Sequence, residues 1–153
     1  MTWYVFFFTP LEQKTYMKEL YVVVPGVVLG TLGYLTNRFC DRLTCDGFPC
    51  PPSWVFGTVW PVLYLLIGIS WYRAAPRHAA LYWGLILLLG AWLVLYPCLR
   101  AVRMAAADLV LSVLVTVYLI ARLMQQDRAS AFLLMPLAVW LSFATYLNVR
   151  SIG

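Results

Sequence analysis

Residues 53–72 read Ser53-Trp54-Val55-Phe56-Gly57-Thr58-Val59-Trp60-Pro61-Val62-Leu63-Tyr64-Leu65-Leu66-Ile67-Gly68-Ile69-Ser70-Trp71-Tyr72, without one charged side chain. A helix of about 20 apolar residues matches the hydrocarbon thickness of a bilayer. Trp54 at one end and Trp71-Tyr72 at the other stand where a membrane span carries its interfacial aromatics. Pro61 inside the stretch predicts a kink, or close packing that satisfies the freed carbonyl. Pro51-Pro52 makes a stiff, extended entry that Ser53 can follow as an N-cap. Four further apolar stretches, residues 20–35, 79–98, 105–124 and 129–149, repeat the pattern. The fold predicted is all-α, an integral membrane bundle of five transmembrane helices with short connections and antiparallel neighbours. Residues 1–19, with Trp3, Tyr4 and Phe6-Phe7-Phe8, read as an interfacial segment, too short to span and without the marks of a signal peptide. Residues 150–153 read as a short tail.

Composition supports this reading independently. Of 153 residues, 63% are hydrophobic and 11% charged, and the mean hydropathy is +0.82. A soluble domain of this size cannot bury so much apolar side chain, and a disordered chain needs the opposite balance. Five spans leave no room for a separate soluble catalytic domain. The formal charge of +5 comes from basic residues scattered at the edges of apolar stretches. That is interface anchoring rather than a nucleic-acid surface, so no nucleic-acid partner is expected. Lys14, Lys18, Arg73, Arg77, Arg122 and Arg128 fall on one side, and Arg38, Arg42, Arg100, Arg103 and Arg150 on the other. So even a distribution gives no orientation.

Asp108 is the one acid well inside an apolar stretch, which makes it a candidate to meet a ligand or to anchor a buried network. The alternative is a structural acid in the first turn of span four, favoured by the helix dipole and within reach of Arg100 or Arg103. Cys40, Cys45 and Cys50 share the connection 37–52, and Cys98 closes span three on the same side. Their spacing is not that of tight zinc-binding pairs, and His78 lies on the opposite side. No metal site is expected, and free thiols are expected ahead of a loop disulfide. There is no acid–base pair, Ser-His-Asp order or glycine-rich phosphate loop, so no catalytic residue is assigned. Gly26 and Gly30, extended by Gly33, give span one a small-residue face for packing inside the bundle or against a second copy. Aromatic side chains are the surplus, 16% of the chain with seven Trp. Trp60, Trp92 and Trp140 lie deep in spans two, three and five. Turned inward, they wall a chamber for a rigid planar ligand such as a tetrapyrrole or a sterol; otherwise they pack helices or touch lipid.

The run Pro51-Pro52-Ser53-Trp54-Val55-Phe56-Gly57-Thr58-Val59-Trp60, continued by Leu63-Tyr64 and Gly68, resembles the second-helix signature of the translocator protein family, also called tryptophan-rich sensory proteins or peripheral benzodiazepine receptors. Leu81-Tyr82, Gly84 and Ala91-Trp92 resemble its third helix, and Asp108-Leu109 the start of its fourth. Pro136, Trp140, Phe143 and Leu147-Asn148 resemble its fifth. The resemblance implies a five-helix receptor or translocator that binds porphyrin or haem, cholesterol or a related sterol, and benzodiazepine-type ligands. It implies ligand contacts at Trp60, Tyr64, Trp92, Asp108, Leu111, Trp140, Phe143, Ala144 and Leu147, with no resident cofactor. It implies a homodimer paired through Ala80 and Gly84. The membrane implied is the mitochondrial outer membrane or another intracellular one, or a bacterial membrane for a prokaryotic source. For some relatives a porphyrin-degrading activity has been proposed, and a structural or signalling subunit acting through oligomerisation is a further alternative.

Departures from the family pattern bear on the pocket. Leu89-Gly90 and Leu93-Val94 stand where members often carry Asn-Trp and Pro-Pro, and Leu85 replaces a Gln. The Trp-Tyr and Lys-Pro elements of the first loop are missing. Leu141, Tyr146 and Arg150 fit a loose sterol pattern, although the family's tyrosine position in the ungapped register is Val149. The plainer reading of these residues is one interfacial tyrosine and one snorkelling arginine.

Overall fold

The computed structural model describes residues 10–40 and 52–152. Five helices follow in order: α1 (Pro10–Phe39), α2 (Ser53–Ala74), α3 (Ala79–Leu95), α4 (Val102–Met124) and α5 (Arg128–Arg150). No strand occurs among the described residues. Four helices hold stretches long and apolar enough to cross a membrane: Met17–Phe39, Trp54–Ala74, Val102–Met124 and Arg128–Arg150. α3 is shorter, with 17 residues.

The expected bounds need correcting at several helix ends. α1 does not start at residue 20 but runs back without a break to Pro10, which suits a first helical position because its missing N–H has no helical partner there. Residues 10–19 of the expected interfacial segment are therefore helix continuous with the first span, and residues 1–9 lie outside the described residues. Pro25 consequently sits within α1 rather than in its first turn. α2 has Pro52, not Ser53, in the capping position, with the Val55 N–H donating to the Pro52 carbonyl at 2.9 Å. α3 stops at Leu95, short of Cys98, because Pro97 lacks the donor that a further turn requires. The chain continues there as a turn, with the Cys98 N–H donating to the Val94 carbonyl at 3.1 Å.

Packing follows a ring in which α1 meets α2, α2 meets α5, α5 meets α4, α4 meets α3 and α3 meets α1. α4 and α5 make the most extensive pair, as their tight connection predicts. α2 and α3 share a connection only one residue longer, yet their backbones scarcely approach. Large aromatic side chains fill the space between them. Trp71 stacks on Tyr82 with ring centroids 5.4 Å apart and planes 3° from parallel, and Trp83 meets Trp71 edge-on at 5.3 Å. The backbones of α1 and α2 come much closer, at Gly68. A Cβ placed there would run into the backbone carbonyl of Val22, so only glycine fits this crossing.

Polar groups tie the helices together at the end carrying the α2–α3 and α4–α5 connections. The hydroxyls of Ser70 and Tyr82 bond at 2.7 Å, and Ser70 Oγ donates to the Ser130 carbonyl at 2.9 Å, joining α2, α3 and α5. Arg73 Nε and Nη2 donate to the Asp127 carboxylate at 3.0 and 3.2 Å. Asp127 caps α5 by accepting from the Ala129 N–H at 3.1 Å and from Ser130 Oγ at 2.7 Å. Arg73, with support from the Ser130 hydroxyl, holds the Asp127 carboxyl down at about 2.

At the opposite end a disulfide joins Cys40 to Cys98. This corrects the expectation of free thiols. The bond does not close the first loop on itself but fastens the end of α1 to the turn after α3, two elements that the ring makes neighbours. Cys45 and Cys50 lie outside the described residues.

Gly26 and Gly30 also behave differently from one of the two expectations. A Cβ at either would meet nothing, so these two positions face away from the other helices, whereas a Cβ at Gly33 would reach the Leu93 side chain of α3 at 4.0 Å. Gly26 and Gly30 lie outward, with Val27 and Val28 beside them. Leu65, Leu87, Leu114, Val139 and many other large apolar side chains are likewise exposed. A soluble protein does not present such a surface, whereas acyl chains cover it without cost.

Candidate functional site

Phe56, Trp60 and Tyr64 recur every fourth residue on α2 and so share one face. That face looks inward, and Trp60 is only 8% exposed. Trp92 of α3 reaches it with ring centroids 5.8 Å apart and planes 31° from parallel. Trp140 of α5 comes from the other side at 6.3 Å, nearly perpendicular at 89°. The structure thus brings together the three tryptophans singled out in the sequence, from three different helices. The cluster extends further. Tyr64 tilts against Trp60 at 5.6 Å, Phe56 meets Trp140 edge-on at 5.8 Å, and Tyr96 stacks on Trp92 at 5.4 Å. Each contact of this kind adds roughly 0.5–1.5 kcal/mol beyond buried area.

The hydrogen-bonding inventory of this region is incomplete. Nε1 of Trp92 and of Trp140 is buried without a partner, as is Oδ2 of Asp108. Asn148 is 2% exposed, and neither its Oδ1 nor its Nδ2 is bonded. Asp108 falls in the second turn of α4, because the helix begins at Val102 rather than Ala105. The tight turn between α4 and α5 fixes their register: buried Ala105, Leu109 and Ser112 on α4 fall level with Asn148, Ala144 and Leu141 on α5. Asp108 and Asn148 therefore sit within about one turn of each other along the bundle. Burying such a group unbonded costs about 1–3 kcal/mol.

The other residues expected at the site are divided. Ala144 is buried and Leu147 half-buried. Phe143 stands at the edge, against Trp140 at 5.6 Å and still 39% exposed. Leu111, 48% exposed, lies on the outer side of α4 and is not drawn into these contacts. Ala80 is exposed, and a Cβ at Gly84 would meet nothing. Leu141 is fully buried, whereas Tyr146 is exposed with the Arg150 guanidinium 5.7 Å over its ring. Five residues along a helix turn through roughly 140°, which separates Leu141 from that pair. Phe56, Tyr96 and Asn148 are not among the ligand contacts expected from the sequence. The first two stand four residues from Trp60 and Trp92, a signal the helical period offers. No group of three or more His, Cys, Asp or Glu able to hold a metal occurs among the described residues.

Long apolar helices, lipid-compatible outer faces and an aromatic interior define an integral, multi-pass membrane protein. Comparison with known proteins narrows the class. The model of the TspO/MBR family matches residues 21–152, and the chain belongs to that family. It is similar to the tryptophan-rich protein TspO of Archaeoglobus fulgidus, 31% identical over 108 residues that cover 66% of this chain and 70% of that protein. It is also similar to the tryptophan-rich protein TspO of Chlorobaculum tepidum, 24% identical over 107 residues that cover 64% and 68% of the two chains.

Proposed function

We propose that the protein binds a hydrophobic planar ligand, a tetrapyrrole or a sterol, at the cluster of Trp60, Trp92 and Trp140, and presents or passes it within the membrane without covalent chemistry. The observation that carries this reading is the pair of buried, unbonded indole N–H groups at Trp92 and Trp140, whose rings meet Trp60 tilted and edge-on. Flat indoles offer dispersion and stacking to a planar ring, and the free N–H groups offer donors to its polar edge. Asp108 and Asn148 supply an acceptor and an amide in the adjoining layer. A tetrapyrrole with acidic side chains and ring N–H groups answers more of these than a sterol with one hydroxyl. α3 serves as the fifth crossing; its 17 residues rise about 26 Å, at the short end of the range for a span. Ala80 and Gly84, turned outward, offer a close-packing face to a second copy.

Titration of the purified protein with a porphyrin tests the site. Saturable quenching of tryptophan emission is expected, and Trp140→Ala weakens it about tenfold. No saturable quenching, together with no sterol binding, contradicts the reading. A second reading, a structural subunit that needs no ligand, is favoured by one feature: Trp60 already touches both other indoles. Ala144→Trp separates the two, because filling this buried position removes a ligand's activity in cells and leaves a purely structural subunit working.

A further inference from the structure

The Cys40–Cys98 disulfide closes the end of the bundle nearest the tryptophan cluster, since Trp60 lies in the first half of α2 and Trp92 in the last turn of α3. Tyr96 stands between Trp92 and the bond. It caps α3, donates its N–H to the Trp92 carbonyl at 3.0 Å and stacks on the Trp92 ring with planes 12° from parallel. On the α1 side, Gly33 faces Leu93 of α3, and a Cβ at Gly90 would lie 3.3 Å from the Leu32 side chain. Further along α1, Tyr34, Leu35 and Phe39 are exposed. The disulfide is therefore the covalent tie between two helix ends whose close packing is seen a turn or two deeper.

The turn after α3 depends on such a tie. The N–H groups of Tyr96, Cys98, Leu99 and Ala101 donate to the carbonyls of Trp92, Val94, Val94 and Leu95, so these backbone bonds stay within one stretch of chain and fasten it to no other helix. Arg100 has a φ of 51°, a left-handed conformation that a residue other than glycine keeps only where its surroundings hold it. Cys40 and Cys98 are both half-buried, at the place where α1 and α3 leave the bundle, so a thiol in the aqueous phase has a path to the sulfurs. We propose that the Cys40–Cys98 bond is a redox-operated latch on the tryptophan cluster: oxidised, it holds Tyr96 against Trp92, and reduced, it frees the end of α3 and opens the cluster to ligand. This rests on the binding reading above. The reductant is a dithiol. Its thiolate attacks one sulfur of the bond and expels the other cysteine as a thiolate, which takes up a proton. Its second thiol then resolves the mixed disulfide, leaving two protein thiols and the oxidised reductant; two electrons and two protons have passed to the protein.

The test compares the full chain in nanodiscs before and after treatment with dithiothreitol. Without ligand, amide hydrogen exchange over residues 96–101 is expected to quicken about tenfold on reduction, while α4 and α5 keep their protection and show the bundle intact. With a porphyrin added, the association rate read from tryptophan quenching is expected to rise about fivefold. The protein carrying both Cys40→Ser and Cys98→Ser should match reduced wild type and ignore dithiothreitol. Exchange over residues 96–101 that reduction leaves unmoved overturns the latch, as do equal association rates with saturable quenching in both states. A dithiothreitol response that persists in the doubly substituted protein also overturns it, since other thiols then carry the effect. No quenching in either state is a different failure: it contradicts the binding reading and takes the latch with it.

Discussion

Asp127 combines three tasks at the turn between α4 and α5: it caps α5, accepts from Arg73 and accepts from Ser130. The capping bond can be anticipated from an acid just before an apolar stretch. The ion pair cannot, because Arg73 lies 54 residues earlier and only the ring of helices brings it near. The carboxyl is held at about 2 against an ordinary 3.8, so the carboxylate's contribution to stability is complete above 3.8 and fades as pH falls toward 2. Thermal unfolding in detergent across that acid range should show the loss in wild type and a flatter profile in Asp127→Asn. Gly68 gives a second prediction. Gly68→Ala drives a methyl into the Val22 carbonyl and should cost about 1–3 kcal/mol, whereas Gly57→Ala meets nothing and should be neutral or better. The inward faces of Trp60, Trp92 and Trp140 were readable as an alternative from depth within apolar stretches. The unbonded state of the Trp92 and Trp140 N–H groups was not, since it depends on what the facing helices omit.

The helices show where local patterns suffice and where they fail. α4 and α5 lie close to their expected bounds because charge and a polar turn mark both ends. α1 is longer than its sequence suggests, since Glu12, Gln13 and Lys14 look like an interruption although a helix carries them readily in its first turns. α2 and α3 defy the rule that a short connection makes packed neighbours, because Trp71, Tyr82 and Trp83 hold the two backbones apart. The Cys40–Cys98 bond depends on this same arrangement, as α3 packs on α1 instead. Unreduced protein should resist alkylation at both cysteines. Cys98→Ser opens a closure of 58 residues and should lower stability by no more than about 4 kcal/mol, read from thermal unfolding. The cost should fall below that limit because the bilayer already confines the helices.

For the whole molecule, composition alone forced a membrane solution, and the family's second- and fifth-helix motifs pointed to the arrangement inside it. The bundle turns Gly26, Gly30 and many large apolar side chains outward and gathers its indoles within. Where a ligand meets this interior is open to direct observation. Protein with isotope-labelled indoles, held in nanodiscs and titrated with a porphyrin, reports each tryptophan N–H separately by NMR. The N–H resonances of Trp92 and Trp140 should shift saturably, while those of exposed Trp54 and of Trp71, at the far end, stay in place. Unmoved resonances at Trp92 and Trp140 under saturating ligand, or uniform shifts at every tryptophan, would contradict a binding site among these three indoles.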